Sequence, residues 1–462
     1  MDTDVAAITT VFTEFYYWIT VALMFLIHVG FCMYEVGASR RRNHMHTLMK
    51  NSMLIPLVTV TWFFFGWWIY WAFAGGPGIT GGIGHPAPDF AAYYVPWSDG
   101  MGPRLDDRIS GVFWAAFLLF AWTAASIVSG AVIERIRSFA FWIFAILIGS
   151  VTWSIDAAWG WSARGWMVEL LGYHDAYASG VIHAIAGGTA LGILVVLGPR
   201  LGKFAADGTP RDISPHNAWL VGIGLFLIYT GFWGFYVACN VPLITADTIG
   251  GQLAGATQTA TTIYLTPTTL GAITMNFLMS LAGGMLVGYL VSKGDAFWTY
   301  SGGLAGIITA SAGNDLYHPI QALVIGGIGT ALMYKLHFWV ENKFKVDDAV
   351  GAVAVHGYAG FIGVVIAGFV LWGHPSSPYE GFAAINPWGQ FLGAVIMFWV
   401  LGFIPAWVIA KILSSLDLLR IPRQVELLGL DFHTNQEAEA ARKDVADAIR
   451  PKSTSAQFSD TR

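Results

Sequence analysis

Residues 181–187 read VIHAIAG, and residues 354–360 read AVHGYAG. The shared pattern [IV]-H-x-x-A-G returns after 173 residues, both times in surroundings almost free of charge. A histidine is costly there, and two in matching contexts call for a common cause. The composition says what the surroundings are. Of 462 residues, 55% are hydrophobic and 11% charged, where a soluble protein carries about 25% charged residues. Charge this sparse over the whole length places most of the chain in a bilayer. The net charge of −5 gives no reason to expect a nucleic-acid partner. The two cysteines, Cys32 and Cys239, lie far apart in apolar stretches and make no disulfide framework. The opening MDTDVAAITTVFTEF carries acids in place of a basic n-region, so no cleaved signal is expected.

Apolar runs long enough to span fall near 14–38, 51–75, 109–133, 138–159, 177–198, 218–239, 258–292, 299–313, 318–336, 349–372 and 388–413. These predict an all-α integral membrane protein of eleven transmembrane helices, of which 299–313 is the shortest and most glycine-rich. With the N-terminus outside, 21 of the 24 basic residues fall on the inner side, and only Arg104, Arg108 and Arg164 fall outside. The positive-inside rule therefore favours N-out, C-in. His183 lies in the fifth span and His356 in the tenth, so the two copies run in opposite directions. That fits inverted five-helix repeats, 1–5 and 6–10, plus one extra helix, with working residues near the midplane. Glycine runs such as AGGTALG and LAGGMLVG suit close helix approach in lipid.

Outside this core, residues 76–108 read as a Gly/Pro/Asp-rich external loop and 199–217 as an internal link between the halves. The chain divides into a transmembrane part, 1–413, and a polar cytoplasmic tail, 414–462. The end of the tail, PKSTSAQFSDTR, has the composition of a disordered segment. No soluble catalytic domain is appended, so no enzyme activity is expected.

For a lone buried histidine, the plain reading is a core residue bonded to a nearby carbonyl; repetition weakens it. Two functional readings remain. Axial ligation of a haem from two helices is one, but a two-haem cytochrome would show two histidines per helix, and basic residues placed for the propionates are not visible. In the other, the imidazoles share a hydrogen bond inside a narrow apolar pore. Burial disfavours an imidazolium, and a second beside it more so, leaving the pair neutral or with one proton. Such a pair receives a small hydrogen-bonding solute or relays a proton, and does not welcome a bare cation.

Six stretches in order then carry a family resemblance. They are GFCMYEVGASRRRNHMHTLMKN (30–51), FAWTAASIVSGAVIERIR (120–137), AAWGWSARGWMVELLGYHDAYASGVIHAIAGG (157–188), GFWGFYVAC (231–239), VDDAVGAVAVHGYAG (346–360) and LLRIPRQVELLGLD (418–431). Together, over almost the whole chain, they resemble the ammonium transporter (Amt/Rh) family, as a divergent prokaryotic member. The resemblance implies passage of ammonium or ammonia across the inner membrane by a homotrimer, with a pore in each subunit and no cofactor or metal. It implies that Phe120 and Phe235 are the stacked gate of the pore. Trp161 is implied to line an outer cation site, with Trp159 as the fallback; a ring face attracts a cation by about 0.5–2 kcal/mol. Asp175, eight residues before His183, is implied to support that site from a helix start.

Three departures stand out. Cys239 holds a position where many members have a serine beside the outer site, and a thiol is a poorer hydrogen-bond partner. Tyr236 follows Phe235 where the family often has asparagine, and Gly351 replaces an aspartate frequent five residues before the second histidine. The tail after GLD reads FHTNQEAE and lacks the usual ending. These leave transport of methylated amines, or a receptor-like ammonium sensor, as alternatives. The expected partners are ammonium or a small amine, membrane lipid, and, on the family's example, a PII-type regulatory protein.

Overall fold

Backbone N–H and C=O groups that enter hydrocarbon must be bonded within their own segment, so each apolar run has one local solution, the helix. The computed structural model describes residues 2–73, 75–76, 108–242, 248–249, 252–253, 260–431 and 443. Apart from Gly76 and Arg108, the expected external loop at 76–108 lies outside the described residues, as does the tail ending after Asp431 apart from Lys443.

Among the described residues, ten helices are long and apolar enough to cross a membrane. In chain order they are α1 (Thr10–Ala38), α2 (Arg41–Ala72), α3 (Gly111–Ala131), α4 (Ser138–Gly160), α5 (Ser179–Leu197), α6 (Ala218–Ala238), α7 (Leu270–Val291), α9 (Pro319–Phe344), α10 (Val353–Val370) and α11 (Pro387–Ser415). Between α7 and α9 lies a shorter helix, α8 (Ala296–Ala310). The chain is thus an all-α integral membrane protein.

Three expected segments differ in detail: the second span, expected at 51–75, runs Arg41–Ala72 and so takes in Lys50, which was expected in an inner loop. The run expected at 258–292 becomes helical only at Leu270, where the Thr269 side chain caps the helix by accepting from Ala272 N–H at 3.1 Å. Before it, β-branched threonines around Pro267 favour extended backbone. There, strands Asn240–Pro242, Ala260–Thr262 and Pro267–Thr268 form a small antiparallel sheet. The segment expected at 299–313 is α8, 15 residues long, or about 22 Å at helical rise, short of the roughly 30 Å hydrocarbon thickness. Every residue from Ser301 to Ala310 is buried, between α7 and α9 among other neighbours. A helix enclosed this way needs small residues rather than a lipid-facing apolar surface.

α1 packs along α6, and α5 packs against α10 and α11. At the end of the molecule bearing the 132–137 and 198–217 connections, charged residues are paired. Arg200 is bidentate to Asp347, with Nε and Nη2 each 2.9 Å from a carboxylate oxygen. Arg40 pairs with Glu134 at 2.6 Å. Burial alone would raise the Asp347 carboxyl; Arg135 and Arg200 beside it override that and hold it well below the usual carboxylate range.

The tail then ties this end together. Arg137 N–H donates to Leu419 O and Ile421 N–H to Arg135 O, each at 3.0 Å. The Arg420 guanidinium donates to Leu197 O and Pro199 O, each at 2.7 Å, and pairs with Glu426 at 2.8 Å. After the short helix α12 (Arg423–Leu428), the Asp431 carboxylate accepts from the N–H groups of Met45 and His46.

Candidate functional site

Each histidine of the repeated motif sits in a turn widened to π-helix, Ser179–Ala184 at the start of α5 and Val353–Tyr358 at the start of α10. Such widenings concentrate at functional sites because they re-aim side chains. Here they aim the two imidazoles at each other: His183 Nδ1 and His356 Nδ1 are 3.0 Å apart, with ring centroids 5.1 Å apart. One Nδ1 must carry the proton and the other accept it. Both rings are buried, and His183 Nε2 has no hydrogen-bond partner among the described residues.

The glycine that closes the motif explains how the helices come this close. A Cβ on Gly187 would lie 2.1 Å from Gly357 Cα, and one on Gly360 would lie 2.2 Å from Ser179 O. Four residues after each histidine, the chain must therefore be side-chain-free, because the opposite copy occupies the space.

Each π-turn is held by an aspartate in the same register. The Asp175 carboxylate accepts from the N–H groups of Ser179, Gly180 and Val181 at 2.6, 2.7 and 2.9 Å. The Asp348 carboxylate accepts from Ala352, Val353 and Ala354 at 2.9, 2.8 and 3.2 Å. Burial pushes Asp175 up to about 6 against the pull of those three N–H groups and the Tyr173 hydroxyl. Burial likewise pushes Asp348 up to about 7 against its own three donors.

Asp348 was missed in the sequence, although the signal is plain: like Asp175, it lies eight residues before its histidine. The neighbouring departure, Gly351, also has its answer. Its φ of +70° matches the +70° of Ala178, and both stand three residues after the capping aspartate. Glycine there meets a left-handed turn without the steric cost a side chain adds.

From the imidazoles, a continuous series of ring contacts joins the aromatic residues singled out above. Phe235 lies nearly parallel to His183, with centroids 6.0 Å apart. Phe120 meets Phe235 at 4.8 Å and 83°, and Trp161 meets Phe120 at 4.7 Å and 71°. The two phenylalanines are thus edge-to-face rather than stacked. The Phe235 ring lies parallel to Phe232 and His183, and an edge from Phe120 suits the ring quadrupole. Trp159 is not in this series; it packs on Trp166, and its Nε1 donates to Gly76 O.

Cys239 turns back on its own helix, Sγ donating to Phe235 O at 3.1 Å. Tyr236 faces away from the series. Its ring stacks on Tyr177 at 4.2 Å, and its hydroxyl is 2.6 Å from Ser311 Oγ.

Fold and site together define a polytopic helical membrane protein with a buried imidazole pair beneath an aromatic barrier. Comparison with known proteins agrees. The Ammonium Transporter Family signature matches residues 15–440, and the chain belongs to that family, whose members are transporters rather than enzymes. The chain is similar to ammonium transporter Amt2 of Methanocaldococcus jannaschii, 30% identical, with 89% of this chain and 87% of the relative covered. It is also similar to Amt2 of Archaeoglobus fulgidus, 30% identical, with 89% and 84% covered. Among solved structures, a Sensor Amt Protein matches with a TM-score of 0.73 at 23% identity, covering 92% of this chain and 98% of that one. Mep2 of Saccharomyces cerevisiae matches with a TM-score of 0.68 at 20% identity, covering 89% and 88%. At those identities the structural likeness speaks for the fold.

Proposed function

We propose that this chain carries ammonium, and with it methylammonium, through a pore running from Trp161 past Phe120 and Phe235 to the His183–His356 pair. The observation that carries the reading is the 3.0 Å contact between two buried imidazoles at the end of that ring series. A cation is drawn to the face of Trp161, aided by the negative Asp175 at the start of α5. A charge in a dry channel costs several kcal/mol, whereas ammonia loses only hydrogen bonds to water. The cation therefore sheds a proton before the gate, and the imidazoles supply replacement bonds, His183 Nε2 having no partner among the described residues.

The pore needs a setting. α8 serves as the eighth of eleven membrane segments, and α1–α5 and α6–α10 are inverted repeats with α11 appended. The matched Asp-to-His registers and the packing of α1 on α6 and of α5 on α10 support this reading. The N-terminus is outside and the C-terminus inside a prokaryotic inner membrane, by the charge distribution. The transmembrane body, 1–413, assembles as a homotrimer.

The described part of the tail, residues 414–431, is a structural coupling element rather than a PII dock. Arg40 and Arg420, part of the basic surface that would attract a partner, are already paired with acids, as is the buried Arg200. A PII protein that binds under some nucleotide condition would overturn this assignment.

The test of the transport reading is uptake and current in proteoliposomes with ammonium and methylammonium. His183→Ala and His356→Ala are expected to stay folded and to lose at least about tenfold in rate or in discrimination against potassium, a change of 1.4 kcal/mol or more. Wild-type flux and selectivity in either variant would sink the paired-imidazole mechanism. Ammonium binding by the wild type without flux would turn the reading toward a sensor.

A further inference from the structure

Among the described residues, a buried ionisable cluster lies beside the imidazole pair and has no role in the ring series. Glu35 on α1 and Lys50 on α2 are both fully enclosed within membrane-spanning helices, with Lys50 Nζ 3.6 Å from Glu35 Oε2. Ser129 Oγ donates to Glu35 Oε2 at 2.7 Å and accepts from Lys50 Nζ at 2.7 Å. Asn51 Nδ2 donates to Glu35 Oε1 at 3.0 Å, and Ser126 Oγ donates to Asn51 Oδ1 at 3.4 Å. A buried pair of this kind contributes little stability over well-packed apolar residues, and its desolvation cost argues for a use beyond packing. Ionisable groups inside a membrane mark solute or proton pathways by default.

The cluster borders the pore. A small cavity of about 10 Å³ is lined by His356 together with Glu35, Ser126, Tyr34 and Ser301. That volume is at the lower bound for a single water, and the lining provides the two to four polar partners a buried water needs. Gly130 keeps the space beside the carboxylate: a Cβ there would meet Val350 Cγ2 at 2.6 Å and Glu35 Oε1 at 3.7 Å.

We propose that Glu35 is the proton acceptor next in line to His356, reached through one water in this cavity. The proposal rests on the twin-imidazole reading above. The N–H bond of the His356 imidazolium breaks, its proton passes to the water, and the water gives one of its own to a Glu35 oxygen. An O–H bond forms there, the positive charge moves from the imidazole pair to the Glu35–Lys50 pair, and no electron is transferred. The proton thus leaves the imidazole pair by a route separate from that of the neutral ammonia.

The experiment is the charge moved per methylammonium carried, from currents and radiolabelled uptake on the same proteoliposomes. Glu35→Gln is expected to lower that ratio by at least about tenfold, less than the roughly 100-fold at the low end of what a positioned acid or base contributes, with uptake retained. Because this variant strands the Lys50 charge, the double variant E35Q/K50M, which removes both charges, is measured beside it and should behave alike. Glu35→Asp should keep most of the ratio. A purely structural role would lower current and uptake together and leave the ratio unchanged. An unchanged ratio in E35Q/K50M with a lowered ratio in His356→Ala overturns this proposal alone. An unchanged ratio in His356→Ala as well overturns the twin-imidazole reading beneath it, and a wild type that moves no charge overturns the proposal.

Discussion

Residues 175–187 and 348–360 build the same device twice: a capping aspartate, a left-handed residue three further on, a π-turn carrying the histidine, and a glycine under the opposite copy. What differs is the company each keeps. The partners of Asp175 are backbone N–H groups and the hydroxyl of Tyr173, all neutral. Asp348 follows Asp347, which is clamped by Arg200, and has His337 Nδ1 at 4.0 Å. One end thus presents a negative charge with no cation bound to it, backed by the Trp161–Phe120 rings. At the other end, the Arg200 guanidinium already occupies Asp347, the acid next to Asp348. The same backbone scaffold thus stands in two different charge settings, and on the proposed transport reading that difference makes the Asp175 end the one that welcomes a cation.

The largest expected effect tests the shared part. Gly360→Val and Gly187→Val push a side chain into the opposite copy at about 2 Å separation. Each should cost at least about 3 kcal/mol, the upper range for overpacking, read as a lowered thermal midpoint or a loss of folded protein in detergent. Equal sensitivity at both positions supports the matched crossing; tolerance at either one breaks it.

The next effect tests the cation-welcoming end. Trp161→Leu should raise the half-saturation concentration for ammonium by about two- to thirtyfold, since a ring face contributes about 0.5–2 kcal/mol to holding a cation. Maximal flux should change less, because the ring acts at entry. Trp159→Leu, outside the ring series, is the control, and a larger effect there would move the site outward.

Acidity separates the two aspartates. Burial raises Asp175 to about 6, so its carboxylate is ionised above that value and neutral below it. Its attraction for a cation is therefore present at neutral pH and is lost as outside pH falls through 6. The half-saturation concentration for ammonium should rise as outside pH drops from about 7 to about 5, while ammonium itself stays protonated. In Asp175→Asn that dependence should vanish. If Asp175→Asn keeps the wild-type profile, the outer site owes its charge to another group.

Much of this was legible from residue order, and the exceptions have physical reasons. Hydropathy located the spans but set the start of α7 too early, because the threonine run around Pro267 is apolar enough to pass while its β-branching favours strands. It could not decide on α8, whose burial among helices removes the need for a lipid-facing surface. The histidines declared themselves by repetition. Asp348 did not, because the aspartate was sought five residues before His356 instead of in the register of the first copy. Gly351, read as a loss, turns out to meet the backbone's demand. Glu35 and Lys50 sit 15 residues apart in sequence, and nothing in that spacing shows that they meet inside the membrane.

Cys239 gives the smallest and most local test of the asymmetry. At the C-terminal end of α6, where the sequence suggested a missing hydroxyl beside the outer site, the thiol is buried and donates to Phe235 O at 3.1 Å. A serine hydroxyl is a stronger donor, and it also offers acceptor lone pairs that sulfur offers only weakly. Cys239→Ser should therefore keep the bond to Phe235 and add an acceptor for an N–H of the cation. A typical net hydrogen bond of about 0.5–1.5 kcal/mol then lowers the half-saturation concentration for ammonium by about two- to tenfold. The gain should be smaller for methylammonium, which has one N–H fewer to share. An equal gain for both ions would mean that the hydroxyl acts through the position of the Phe235 ring. No change in either would leave Cys239 as packing and place the selectivity of the cation-welcoming end with Trp161 and Asp175.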